Sequence, residues 1–99
     1  MTGGVPFVGD TGTRVKLDCG EDISTATVMR VKYEKPDGTD GYWTAALDLS
    51  DADTETIYYD TLAADFDQSG RWRLQSYIEM PGWAGHGEIV YLRVYDPIS

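Results

Sequence analysis

Asp65-Phe-Asp-Gln-Ser-Gly-Arg-Trp-Arg-Leu74 is the stretch on which the fold turns: an acidic corner, then Gly70, then a run in which Trp72 and Leu74 point the same way. An acidic residue and a glycine lead into an aromatic, and a core residue follows two positions later. That order reads as a corner leading into a strand, with Leu74 in a core position. The strand continues as Arg71-Trp-Arg-Leu-Gln-Ser-Tyr-Ile78, with Trp72, Leu74, Ser76 and Ile78 inward, until Pro81 ends it because proline cannot donate to a ladder.

Period-two alternation recurs on both sides of this stretch, bounded each time by Gly, Pro, Asp or Ser. In Thr13 to Asp18, Val15 and Leu17 face one way and Arg14 and Lys16 the other. In Thr27 to Tyr33, Met29, Val31 and Tyr33 are inward and Arg30 and Lys32 outward. Lys35-Pro-Asp-Gly-Thr39 carries hairpin chemistry, with Pro36 fixing φ and Gly38 free to turn left-handed. A strand over Gly41 to Leu47 follows, with Trp43, Ala45 and Leu47 inward. The acidic segment Asp48 to Glu55 reads as a loop in which the chain switches sheets. Thr56 to Thr61 resumes a short strand, with Ile57 and Tyr59 on one face. Gly82-Trp-Ala-Gly-His-Gly87 reads as a Gly-rich loop. The last strand is Glu88 to Tyr95, with Val90, Leu92 and Val94 in and Ile89, Tyr91, Arg93 and Tyr95 out. Helical spacing is confined to a single turn near 62–65. The expectation is one all-β domain over residues 1–99, an antiparallel sandwich of about six to eight strands rather than a closed barrel.

With 99 residues the chain is long enough to bury a core without help from metal or disulfide. Cys19 is the only cysteine, so no internal disulfide forms and no metal-binding spacing exists around it. The N-terminus has no basic start or apolar run of signal-peptide length, and nothing approaches the roughly 20 apolar residues of a membrane span. A protein without a membrane role is expected. The net charge of −9, from 17 acids and 8 bases, opposes attraction to phosphate backbones, so nucleic acid is a poor partner. Seven of the 8 bases, Arg14, Lys16, Arg30, Lys32, Arg71, Arg73 and Arg93, fall within strand-like runs and most acids in the connections. That distribution fits two readings: exposed cross-strand pairs that aid solubility, or a basic sheet face that meets acidic loop ends of another protein or another copy.

Three candidate sites follow. Asp51-Ala-Asp-Thr-Glu55 alternates oxygen ligands as a calcium loop begins, yet lacks the glycine and the bidentate glutamate that complete one, so a solvated acidic loop is the better reading. His86, the single histidine, is a formal candidate base, but neither Ser76, placed in the core, nor Cys19, at a strand end, has a nucleophile motif around it. No enzyme and no cofactor are expected. The third candidate is a surface. If the last two strands form a hairpin, outward residues pair with an even sum, which sets Tyr77 near Tyr91 or Ile89 and Arg73 near Arg93 or Tyr95. Tyrosine and arginine are enriched at interface cores, and single exposed aromatics are ordinary on sheets. Arg71, Arg73, Tyr77, Tyr91, Arg93 and Tyr95 are the partner-binding candidates. Trp83, at the centre of the Gly-rich loop, either caps the open end of the sandwich or presents itself to a partner.

Several stretches, in order, carry a resemblance: Gly9 to Leu17, Asp22 to Val28, Val31 to Thr39, Trp43-Thr-Ala45, Asp65 to Trp72 and Gly87 to Val90. Together the chain resembles the small immunoglobulin-like modules of tailed-phage virions, notably the N-terminal domain of baseplate upper proteins and small tail or head accessory proteins. The resemblance spans most of the chain and its weight lies in the order of the pieces. It implies an immunoglobulin-like sandwich and a structural role in the virion through contacts with other virion proteins or copies of itself. It implies no catalysis or cofactor; the expectation of one domain departs from the longer baseplate proteins, so their receptor-binding function is not carried over. The alternative is a carbohydrate-binding sandwich using Tyr42, Trp43, Tyr58, Tyr59 or Trp83 as stacking platforms, although alternation sends Trp43 and Tyr59 toward the core.

Overall fold

The alternating runs become seven strands, with no helix, among residues 6–48 and 54–97, which the computed structural model describes. They are β1 (Arg14–Asp18), β2 (Val28–Glu34), β3 (Asp40–Thr44), β4 (Ala46–Leu47), β5 (Thr56–Asp60), β6 (Gly70–Met80) and β7 (Trp83–Val94). Two antiparallel sheets form, a three-stranded one in the order β1-β5-β4 and a four-stranded one in the order β3-β2-β6-β7. The chain is an all-β sandwich. Side chains from both inner faces meet in one core, built on Val15, Leu17, Val31, Trp43, Ile57, Trp72, Leu74, Ile78 and Val94.

The corner at 65–74 is held by three kinds of contact. Leu62 and Asp65 close a single turn, with the Asp65 amide donating to the Leu62 carbonyl at 2.9 Å. The Asp65 carboxylate accepts from the Leu62 amide and from the Tyr59 hydroxyl, each at 2.7 Å. The Trp72 indole N–H donates to the Gln68 carbonyl at 3.0 Å. Phe66 is thereby driven into the core, fully buried, with its ring edge-on to Trp72 at 5.4 Å. Gly70 has φ of 122°, and a Cβ there would strike Pro36 at 2.9 Å, so both backbone and space require glycine.

Several expectations are corrected. The run over Gly41 to Leu47 is two strands in different sheets, and the chain crosses over at Ala45, whose amide still bonds the Met29 carbonyl. The segment after Asp48 is therefore no crossing: β4 and β5 are neighbours in one sheet. The calcium-loop residues Asp51 and Asp53 lie outside the described residues. Gly82 to Gly87 is not a loop, since Pro81 and Gly82 alone make the turn, with Met80 opposite Trp83 and Gly82 at φ 82°, as a type II turn requires. Trp83 through Gly87 then belong to β7.

The core also differs in membership. Phe66 and Ile23, both absent from the alternating runs, are buried, Ile23 because its loop folds inward with the Ile23 amide bonded to the Thr54 carbonyl at 2.7 Å. Val90 pairs with Leu74 and shares its side of the sheet, yet it is 44% exposed. The reason is overhang. β7 is an edge strand lying beyond β1, and only its far end is covered, where the chain around Phe7 bridges Tyr95.

Two outcomes are expected. Phe66→Ala should lower unfolding free energy by about 3–5 kcal/mol and Val90→Ser by well under about 1 kcal/mol, read from urea unfolding. Burial, then the bond to Asp65, push the Tyr59 hydroxyl from 10.0 up to about 12. The neutral form is favoured in the fold, so this contribution is complete below pH 10 and is lost as pH rises toward 12. Melting curves across that window should show Tyr59→Phe with a shallower loss of stability than the parent.

Candidate interaction face

The four-stranded sheet turns its outer side to solvent, and register fixes which side chains meet there. Rows across β3, β2, β6 and β7 read Thr44–Arg30–Tyr77–His86, then Tyr42–Lys32–Gln75–Ile89, then Asp40–Glu34–Arg73–Tyr91, with Arg71 opposite Arg93 beyond them. Three of the four arginines on this face lie over tyrosine rings. Arg30 lies 4.3 Å from the centroid of Tyr42, Arg71 4.8 Å from Tyr91 and Arg93 5.7 Å from Tyr95. Such contacts contribute about 0.5–1 kcal/mol each at exposed positions, enough to order long side chains without sealing them off.

Polar links complete the lattice. Arg73 pairs with Glu34 at 2.7 Å, and that bond raises the guanidinium pKa. Lys32 Nζ lies 3.1 Å from Nε2 of His86, whose ring sits 4.9 Å from Tyr77. The Tyr77 hydroxyl donates to Glu79 at 2.7 Å, which raises its pKa. An open depression of about 380 Å³ lies among Lys32, Glu34, Tyr42, Arg73, Gln75 and Ile89. Tyr42, Ile89 and Tyr91 are 51%, 42% and 57% exposed, so large apolar surface is left on this face.

The structure brings Arg71, Arg73, Tyr77, Tyr91, Arg93 and Tyr95 onto this one face, but not in the expected pairs. Tyr77 is opposite His86 rather than Tyr91 or Ile89, and Arg73 is opposite Tyr91 rather than Arg93 or Tyr95. The two-residue turn and an irregularity at Ser76 account for the shift. Gly87 and Glu88 oppose the single Ser76, and a Cβ on Gly87 would meet the buried Ser76 hydroxyl. Trp83 lies on the other side of the hairpin. It packs along its own strand over Gly85 while 42% exposed, so it stands apart from the face.

Arg30, Lys32 and Tyr42 join the face without having been grouped with it, and Ile89, named before only as a pairing option for Tyr77, joins them. Their outward direction was readable from alternation for Arg30, Lys32 and Ile89, but their neighbours depend on β2 lying beside β6, which no local signal carries. The remaining candidates behave differently. His86 is in β7 rather than in a loop. Cys19 is half-buried and burial raises its thiol pKa, the opposite of what a nucleophile needs. Among the described residues no group of three His, Cys, Asp or Glu side chains could hold a metal.

If the outer face is a contact surface and not a structural element, truncating it should leave the fold intact. Tyr42→Ser, Tyr91→Ser and Arg73→Gln should each change unfolding free energy by less than about 1 kcal/mol in urea titrations, because exposed ion pairs and surface rings contribute little. A loss near that of Phe66→Ala would show that the face is needed for folding.

No protein-family model, curated protein or solved structure matches the chain.

Proposed function

We propose that the chain is a non-enzymatic structural module of a tailed-phage or prophage virion, a tail or baseplate accessory or a capsid decoration protein, acting through protein–protein contacts. One observation carries the contact reading: Arg30, Lys32, Arg71, Arg73 and Arg93, five of the 8 basic residues, share one sheet face in a chain of net charge −9. Exposed tyrosines and Ile89 are interleaved with them. Arginine and tyrosine are the side chains that most often dominate interface energetics. The acids of that face are Glu34, Asp40 and Glu79, so the face carries +5 − 3 = +2 and the rest of the chain −11. A charge split of this kind steers one surface toward an acidic partner.

The virion setting rests on the resemblance in sequence order, and the topology agrees with its fold. The orders β1-β5-β4 and β3-β2-β6-β7 correspond to strands B-E-D and C′-C-F-G of an immunoglobulin-like sandwich. Synthesis would be in the host bacterial cytoplasm, followed by assembly into the particle. The partners are other virion proteins or further copies of the chain, with no role for nucleic acid or membrane.

A carbohydrate-binding module is the second reading, and its support is Tyr42 at the rim of the open depression. Its other platforms are weak: Trp43 is buried and stacked on Tyr59 at 4.9 Å, and Tyr58 lies under Arg14 at 4.2 Å.

Mass spectrometry of purified particles should find the protein as a regular component, and Tyr42→Ser combined with Ile89→Ser should deplete it from particles while leaving its melting temperature unchanged. Absence of the parent protein from particles, together with saturable binding on a glycan array, would reverse the order of the two readings.

A further inference from the structure

We infer that Arg71 and Arg93 form a two-pronged anchor for carboxylates on an acidic, extended segment of a partner protein; the inference rests on the outer face being the contact surface. The two residues are direct cross-strand partners, and like charges placed opposite one another destabilise a sheet. Their side chains part, Arg71 over Tyr91 and Arg93 over Tyr95. The two tyrosines are 57% and 41% exposed, so each cation lies beside a ring that is itself open to solvent.

Four of the six other cations make the contrast, while the remaining two, Arg30 and Lys32, are held against Tyr42 and His86. Arg14, Lys16, Lys35 and Arg73 each have a carboxylate within 3.0 Å, on Asp60, Asp48, Asp67 and Glu34. Among the described residues, neither Arg71 nor Arg93 has one within 4 Å. Asp96, three positions beyond Arg93, accepts instead from the Ser69 hydroxyl at 2.9 Å. A pair of unpaired guanidiniums held against their mutual repulsion is a site for an anion, and the planar fork of arginine suits a carboxylate.

The charge of the whole molecule narrows the source. With −11 away from the outer face, a long polyanion such as nucleic acid is repelled by most of the chain. An acidic segment narrow enough to reach one corner of the sheet is not. An extended segment presents alternate side chains on one side, so acids along that side address the two arginines together.

The test is an NMR titration of the whole chain with a hexaglutamate peptide, following the arginine Nε–H signals. Expected are saturable shifts at Arg71 and Arg93, none with a hexaglutamine peptide, and roughly tenfold weaker binding in Arg93→Gln, the loss of a charge-assisted pair. The melting temperature of Arg93→Gln should stay level or rise by a few degrees, since a repulsion is removed. Equal weakening by Arg14→Gln, or equal response to inorganic phosphate, would overturn the assignment, as would unmoved Arg71 and Arg93 signals. Light scattering on the protein alone that gave a multimer lost in Arg93→Gln would put a second copy in place of the separate partner and overturn that commitment. If the arginine signals do not move while Tyr42→Ser with Ile89→Ser still depletes particles, the anchor fails and the contact face stands.

Discussion

The structure depends on the placement of one side chain, Trp72. It is fully buried at the start of β6, and its ring lies 5.4 Å from Phe66, 5.7 Å from Tyr33 and 6.2 Å from Trp43. Those rings come from the corner, from β2 and from β3, and Trp43 stacks in turn on Tyr59 of the opposing sheet. Aromatic pairs at such separations add stability beyond their buried area. The indole N–H is spoken for by the Gln68 carbonyl, so the ring can be buried without an orphaned donor. Three strands and a corner are tied at one point, and a disulfide is not needed there.

A cluster centred on Trp72 lies toward one side of the four-stranded sheet. The facing sheet has three strands, and it covers β2 and β6 before it reaches β7. The last strand is consequently anchored through its backbone ladder to β6 and through Val94 at its far end, while Val90 remains partly wet on the inner side. The same geometry leaves the outer side of all four strands uncovered. The face described above is therefore what remains once the core has been satisfied on the other side, and its composition is under no packing constraint. Five cations and several exposed rings occupy those positions, outside the core.

The sheet faces of individual strands were legible in the sequence because alternation is local: Val15 and Leu17, Met29 and Val31, Trp72 through Ile78 all point as their parity says. What escaped were features decided by distant residues. Phe66 and Ile23 sit in turns, where alternation carries no information, and they are buried because Trp72 and the Thr54 carbonyl are close by in the fold. Ala45 marks a change of sheet, although Gly41 to Leu47 alternates without a break, because parity is the same on either side of the crossing. The glycines at 82, 85 and 87 suggested a loop. In fact Gly82 turns the chain, Gly85 lies under Trp83 and Gly87 makes room for Ser76. Gly85 and Gly87 are glycines for a contact, and contacts are not visible along the chain.

The irregularity at Ser76 connects the core to the face. The turn at Pro81 and Gly82 sets Met80 opposite Trp83, a sum of 163, and if that register ran on unbroken, Leu74 would face Ile89. Because Gly87 and Glu88 both stand against Ser76, the sum becomes 164 above it, so Leu74 meets Val90 and Arg71 meets Arg93. One extra residue thus exchanges the sides taken by every β7 side chain on one part of the strand relative to the other. Below it, His86 joins Tyr77 outside and Trp83 lies inside. Above it, Ile89, Tyr91 and Arg93 are outside and Val94 reaches the core. With an unbroken ladder the upper half of β7 could not have Val94 inward if the lower half kept His86 outward. The bulge reconciles a buried Val94 with an outward His86, and the buried hydroxyl of Ser76 beside the bare Cα of Gly87 is where the sequence makes room for it.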